Sequence, residues 1–112
     1  MDCLFCKIAA GEIPSNKVYE DDQVLAFYDI DPQAPVHFLV IPKEHIPSPA
    51  AICPENSQVI AHIFEVIAKI AQELKLDNGY RVVTNCGQDG GQTVGHLHFH
   101  VLAGRSLAWP PG

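Results

Sequence analysis

The sequence predicts an α+β domain, an antiparallel sheet of about five strands with one long helix packed on it. Three observations predict it. Nine prolines and eight glycines in 112 residues cut the chain into short segments. Most of those segments are dense in β-branched and aromatic residues. Only one, residues 54–76, repeats its apolar positions by three and four, the period of a helix lying on a core.

Taken in order, residues 18–28 read as two strands around the acidic turn Glu20-Asp21-Asp22-Gln23, a hairpin. The connection Asp29-Ile30-Asp31-Pro32-Gln33-Ala34-Pro35 is rich in turn formers, and residues 36–41 form a third strand apolar enough to be buried, ended by Pro42. In the helical segment Ile60, Ile63, Ile67, Ile70 and Leu74 share a stripe, while Glu65, Lys69, Gln72 and Glu73 fall elsewhere. Pro54 suits the first helical turn and Asp77-Asn78-Gly79 a left-handed stop. His62, which no nearby motif joins as a ligand, reads as a surface or boundary residue. Residues 80–85 read as a strand, 86–95 as a glycine-rich loop and 96–102 as the last strand. This order implies an antiparallel meander plus one packed helix.

Length allows one domain over residues 1–112, and 47% hydrophobic against 18% charged residues is the balance of a folded core rather than a disordered chain. Seven basic and thirteen acidic residues give a formal charge of -6, which disfavours binding to a nucleic-acid polymer but leaves a single nucleotide open. Apolar runs such as Phe38-Leu39-Val40-Ile41 fall far short of the ~20 residues of a membrane span. The N-terminus lacks the basic start and apolar middle of a secretory signal, so a cytoplasmic protein is expected, with its four cysteines as free thiols or metal ligands.

The strongest motif is His96-Leu97-His98-Phe99-His100-Val101-Leu102. On a strand, period two sends Leu97, Phe99 and Val101 into the core and all three imidazoles to the other side. The alternative is the polar face of an edge strand, but such a face ordinarily carries Lys, Thr, Glu or Ser rather than three groups titrating near neutrality. Neighbouring imidazoles disfavour each other's protonation, which keeps a neutral, nucleophilic ring available at pH 7. Just upstream, Asn85-Cys86-Gly87-Gln88-Asp89-Gly90-Gly91-Gln92-Thr93 joins two strands. Its glycines let backbone N–H groups converge on an anion, although a glycine-rich turn is commonly only a turn.

Cys3-Leu4-Phe5-Cys6 has the spacing that presents two sulfurs to one tetrahedral metal, and His45 and His96 would complete a Cys2His2 set. Buried thiols or a redox pair are the alternatives, the latter without the preceding strand of a thioredoxin-like motif. Cys53 and Cys86 have no such pattern and read as small buried residues.

Gly91-Gln92-Thr93-Val94 followed by His-x-His-x-His resembles the histidine triad (HIT) family of nucleotide hydrolases and transferases. The stretch from Asp29 to Lys43, Gly79-Tyr80-Arg81 and the terminal Trp109-Pro110-Pro111-Gly112 resemble its Hint branch, so the likeness covers nearly the whole chain. The resemblance implies a short N-terminal helix added to the sheet and long helix. It implies a purine nucleoside phosphoramidase, also acting on related acyl-adenylates, that needs no metal for catalysis. His98 would attack the α-phosphorus and form a nucleotidyl-histidine that water cleaves. His100 and His37 would contact phosphate oxygens, Asn85 and Thr93 would lie near the leaving group, and the backbone at Gly91 and Gln92 would complete the anion site. Asp29 would accept from the ribose hydroxyls and Ile30 would help hold the base. Without the resemblance, His37 reads as a half-buried strand histidine and Asp29 as a turn residue. Some bacterial members resemble this sequence in having a structural zinc site, and the family pattern implies a homodimer in which the tail bearing Trp109 approaches the partner's nucleotide site. Thr93 stands where many relatives have Ser, and Gly95 where animal Hint proteins carry an aromatic residue.

Three other readings make different expectations. A dinucleoside polyphosphate hydrolase would prefer diadenosine polyphosphates to a phosphoramidate. A nucleotide-binding regulator or scaffold would keep its effect in a His98→Ala variant. A metal-dependent hydrolase ligated by all three histidines would lose activity on chelation, whereas a structural metal would mainly lend stability.

Overall fold

The β-rich segments pair into one antiparallel sheet, and the two helices take its opposite faces. The computed structural model describes residues 3–112, so Met1 and Asp2, the first residues of the N-terminal stretch considered above, lie outside it. Strands β1 (Lys17–Glu20), β2 (Val24–Tyr28), β3 (Val36–Pro42), β4 (Tyr80–Val83) and β5 (Phe99–Ala103) lie in the order β1-β2-β3-β5-β4. Helix α1 (Leu4–Ala9) precedes them, and α2 (Ser57–Glu73) lies between β3 and β4.

The order departs from a simple meander, because β5 inserts between β3 and β4. Burial explains the exchange. Strand β5 has Phe99, Val101 and Ala103 buried, whereas β4 begins with an exposed Tyr80 and a half-buried Arg81, residues suited to an edge.

Period-two alternation divides the sheet into two chemistries. Val24, Ala26, Phe38, Val40, Phe99 and Val101 face α2 and pack on Ile63, Val66, Ile67 and Ile70. Each such buried aliphatic contributes roughly 1.5–3 kcal/mol. Leu25, Phe27, Leu39 and Ile41 face the other way and pack on Phe5 and Ile8 of α1.

Helix α2 is shorter than the expected 54–76. Pro54 falls in the preceding turn, where Asn56 turns its side chain back to accept from the Cys53 N–H and donate to the Ala51 carbonyl. At the other end Lys75, with φ 58°, takes the left-handed position, and Gly79, with φ 104°, instead leads into β4. The last strand is shorter too. It starts at Phe99 because the chain before it bonds elsewhere: the Leu97 N–H donates to the Ile46 carbonyl, and the Thr84 hydroxyl donates to the His98 carbonyl.

His62 does have a partner. Its Nε2 lies 2.7 Å from Oδ2 of Asp21, which also accepts from the Tyr19 hydroxyl at 2.9 Å. The hairpin turn thereby docks on α2, forty-one positions along the chain. Asp21 raises the His62 pKa above its ordinary value. For Asp21, burial raises the pKa but is outweighed by His62, the Gln23 and Val24 N–H groups and Tyr19, leaving it well below the carboxylate range. Stabilisation from the raised His62 is full below ~6.5 and fades as pH climbs through its folded value, while that from Asp21 fades as pH falls below ~3.9. The pair is therefore strongest between those limits. His62→Gln should cost about 1 kcal/mol at pH 6 and less at pH 9. Denaturant unfolding at both pH values checks this, and equal deficits would show that the charge pair contributes nothing.

Candidate active site and metal centre

The face of the sheet that carries α1 also carries His37 on β3 and His98 and His100 at the start of β5, since these positions alternate with core residues. Their rings adjoin: His98 and His100 have centroids 5.0 Å apart, and His37 and His100 5.1 Å. Beside them lies a cavity of about 230 Å³. Leu4, Phe5, Ile8 and Phe27 give it apolar lining, and Asp29, Thr93, His98 and His100 give it polar lining. Ile30, fully exposed, stands on its rim.

Hydrogen bonds assign the ring protons. Nδ1 of His98 lies 2.7 Å from the His96 carbonyl oxygen, which can only accept, so Nδ1 carries the hydrogen and Nε2 keeps its lone pair. The Gln33 backbone N–H donates to Nδ1 of His37 at 3.0 Å, which places the His37 hydrogen on Nε2. That Nε2 donates to Nδ1 of His100 at 2.9 Å, leaving the His100 hydrogen on its own Nε2. Burial first, then the adjacent His98 and His37 rings, against Asp29, push His100 down to about 4, so it is uncharged at neutral pH. Asp29 accepts from the Asp31 N–H through Oδ1, and its Oδ2 lies 3.5 Å from His37 Nε2 and 4.0 Å from His100 Nδ1. Asp29, His37 and His100 are close enough to enclose a cation, but the lone pairs needed are already used as acceptors.

His96 does not join that pair. Its fully buried ring turns to Cys3, Cys6 and His45 instead, so the three histidines share one face of the chain but serve two centres. Nδ1 of His96 lies 3.3 Å from Sγ of Cys3, 3.5 Å from Sγ of Cys6 and 3.2 Å from Nδ1 of His45, which is 3.2 Å from Sγ of Cys6. A tetrahedron with Zn–S of about 2.3 Å and Zn–N of about 2.0 Å has S···N edges of about 3.5 Å and an N···N edge of about 3.3 Å. The four donors therefore fit a zinc-sized ion. The His96 Nε2–H donates to the Pro42 carbonyl at 2.8 Å, the outer bond that fixes a ligating tautomer. Burial, then the neighbouring Cys3 thiol, raises Cys6 to about 11, a strain that a cation between the sulfurs relieves. Residues 3–6 supply both sulfurs because Cys3 caps α1, accepting the Cys6 N–H at 3.2 Å, and Cys6 lies one turn on.

The glycine-rich loop is exposed and braced by Gln92, whose amide accepts from the Gly87 N–H and donates to the Pro47 and Val94 carbonyls. Gln92, Gly91, Asn85 and Trp109 are not among the residues lining the cavity. Trp109 is 81% exposed, on a tail held by Arg81 through the Leu107 and Ala108 carbonyls. Cys86, expected to be buried, is exposed, with Cys53 half-buried. Sequence reasoning did not single out Gln33, Pro42, Leu4, Phe5 or Ile8 as parts of the two centres. The signal available for the last three is their i, i+1, i+4 spacing, which puts them on one side of a helix. Among the described residues, no helix is long and apolar enough to cross a membrane.

The HIT domain profile matches residues 10–107. An uncharacterized HIT-like protein of Synechococcus elongatus is 52% identical over 111 residues, 99% of this chain and 97% of that protein. The crystal structure of a HIT family hydrolase from Legionella pneumophila superposes with a TM-score of 0.97 at 50% identity, covering 99% of this chain and all of the other. A histidine triad protein from Clostridium difficile gives 0.93 at 58% identity over 96% and 95% of the two chains. Matched in sequence along nearly its whole length, with the fold of a HIT family hydrolase and three alternating histidines at the lip of β5, the chain belongs to the HIT family.

Proposed function

We propose that the protein is a purine nucleoside phosphoramidase, which cleaves the P–N bond of a nucleoside 5'-phosphoramidate, or the acyl bond to phosphate of a related adenylate, through a nucleotidyl-histidine. The observation that carries this reading is the ring-proton pattern: a His98 Nε2 with a free lone pair beside a His100 Nε2–H. In the first step the His98 Nε2–P bond forms while the P–N bond breaks and the departing amine takes a proton from solvent; with an acyl-adenylate the P–O bond to the acyl group breaks instead and a carboxylate departs. In the second, water forms the new P–O bond, the N–P bond breaks, and the water proton is released with the nucleoside monophosphate. The His100 N–H donates to a phosphoryl oxygen as charge gathers there, and neutral His37 holds that ring in place. The apolar lining of the cavity, with Ile30 at its rim, suits a purine base. Asp29 suits the ribose hydroxyls, and Thr93 suits the leaving-group side. In this reading Asn85 lies near the leaving group and the backbone at Gly91 and Gln92 completes the anion site from the loop that carries Thr93.

A structural zinc ion held by Cys3, Cys6, His45 and His96 is part of the proposal. So are a cytoplasmic homodimer whose partner tail, with Trp109, reaches the site, a single domain and a mononucleotide rather than a nucleic-acid polymer as ligand.

Mass spectrometry of enzyme quenched while turning over adenosine 5'-phosphoramidate tests the reading. A nucleotide adduct on His98, with kcat/KM above that for diadenosine polyphosphates, is expected. An unmodified His98 during turnover, or the opposite preference, defeats it.

The loop gives a second prediction. A Cβ on Gly90 would stand 2.4 Å from the Cys86 carbonyl oxygen and 2.9 Å from its nitrogen, so Gly90→Ala must shift the backbone leading to Thr93. Displacement of the leaving-group side should lower kcat/KM by roughly 10–100-fold. The melting temperature should hardly change, because the loop buries little. Steady-state kinetics beside thermal melting checks both halves.

A further inference from the structure

We propose that cation occupancy of the Cys3/Cys6/His45/His96 centre and nucleotide binding in the cavity are coupled, each strengthening the other, through Phe5 of α1. The inference rests on reading the cavity as a nucleotide site and concerns how that site is controlled.

One six-residue helix serves both centres. Cys3 and Cys6 bracket Phe5, and Leu4, Phe5 and Ile8 form the apolar wall of the cavity. The Phe5 ring stands edge-on to His98 at 5.1 Å, to His96 at 6.0 Å and to Phe27 at 5.7 Å. A helix this short has no stability of its own in water. It is held by a small apolar cluster with β2 and β3 and by the sulfur donors, whose histidine partners lie 39 to 93 residues away in sequence. A cation joining those donors staples the cavity wall to the body of the domain.

His96 supplies a second connection in the same direction. Its ring faces the sulfurs, while its own carbonyl accepts the His98 Nδ1–H. Without the cation, the base-binding wall and the support of His98 both loosen, and an arriving nucleotide must order them. Linkage makes the effect reciprocal: whatever factor the cation adds to nucleotide affinity, the nucleotide adds to cation affinity.

The test uses the full chain, zinc and adenosine 5'-monophosphate. Calorimetry should show the nucleotide binding about tenfold more tightly to zinc-loaded than to metal-free protein. Zinc affinity from chelator competition should rise by the same factor when the nucleotide is saturating. Zinc release to a chromogenic chelator, which needs no stable metal-free state, should slow. Phe5→Leu keeps all four ligands, and in it the coupling should shrink towards one. Equal nucleotide affinities in the two forms, a release rate indifferent to nucleotide, full coupling in Phe5→Leu, or a chain that retains no zinc each overturn the proposal. If the loaded protein binds no nucleotide at all, the functional reading fails and the coupling with it. Tight binding without coupling removes the coupling alone.

Discussion

His98→Ala is expected to abolish turnover of adenosine 5'-phosphoramidate, lowering kcat by at least ~10⁴-fold while the nucleoside monophosphate still binds. The size of the effect follows from the proton pattern. Within the histidine group of the cavity, His37 has Nδ1 filled by the Gln33 N–H and its hydrogen on Nε2, and His100 has Nδ1 filled by His37 and its hydrogen on Nε2. His96 is turned to the sulfurs. Only Nε2 of His98 is left with an open lone pair, so no neighbouring ring can take over the attack. The fold should survive, because removing one ring leaves a small void against Phe5 and costs roughly 1–3 kcal/mol. Turnover and monophosphate binding, measured on a variant shown by circular dichroism to be folded, separate the alternatives. Residual turnover within a hundredfold of the parent would place the nucleophile on another residue.

The proton pattern also shows where the sequence stops being informative. Alternation is a local property, so Leu97, Phe99 and Val101 were assignable to the core and the histidines to the opposite face even though the regular strand starts only at Phe99. Which centre each ring joins is not local. His96 answers to cysteines some ninety positions earlier, and His62 to an aspartate forty-one positions earlier, and no periodicity encodes either distance. The CxxC spacing marked two ligands by itself, whereas no spacing in the sequence ties His45 and His96 to them. Helix ends failed for a different reason. Proline and glycine near residues 54 and 79 announced a start and a stop, but Asn56 and Lys75 took those roles, since neighbouring backbone groups decide which residue caps. Burial misled at Cys86, where the glycine loop keeps a small apolar side chain at the surface. The exchange of β4 and β5 was also invisible to a meander reading, although the exposed Tyr80 is an edge signal in retrospect.

Zinc removal is expected to have its largest effect on stability rather than on the chemical step. The four donors tie α1, the His45 segment and the approach to β5 together, yet the larger core between the sheet and α2 does not include the cysteines. The metal-free chain should therefore stay folded with a lower melting temperature, unlike a zinc finger, whose core depends on its ion. A ligand present at a thousand times its dissociation constant stabilises by about 4 kcal/mol. For a domain of this length that corresponds to a shift of roughly 15–25 °C. Cys6→Ser should reproduce most of the loss without chelator. Below the lowered melting temperature, kcat at saturating substrate should stay within severalfold of the loaded enzyme, because His98, His37 and His100 are not themselves ligands and bound substrate restores the order that the His96 carbonyl gives the His98 ring. The apparent KM should rise as the α1 wall loosens. Thermal melting and steady-state kinetics on one chelator-treated sample decide between the two roles for the ion. Loss of kcat in a sample still folded at the assay temperature would assign the ion to the reaction itself and discard a purely structural centre.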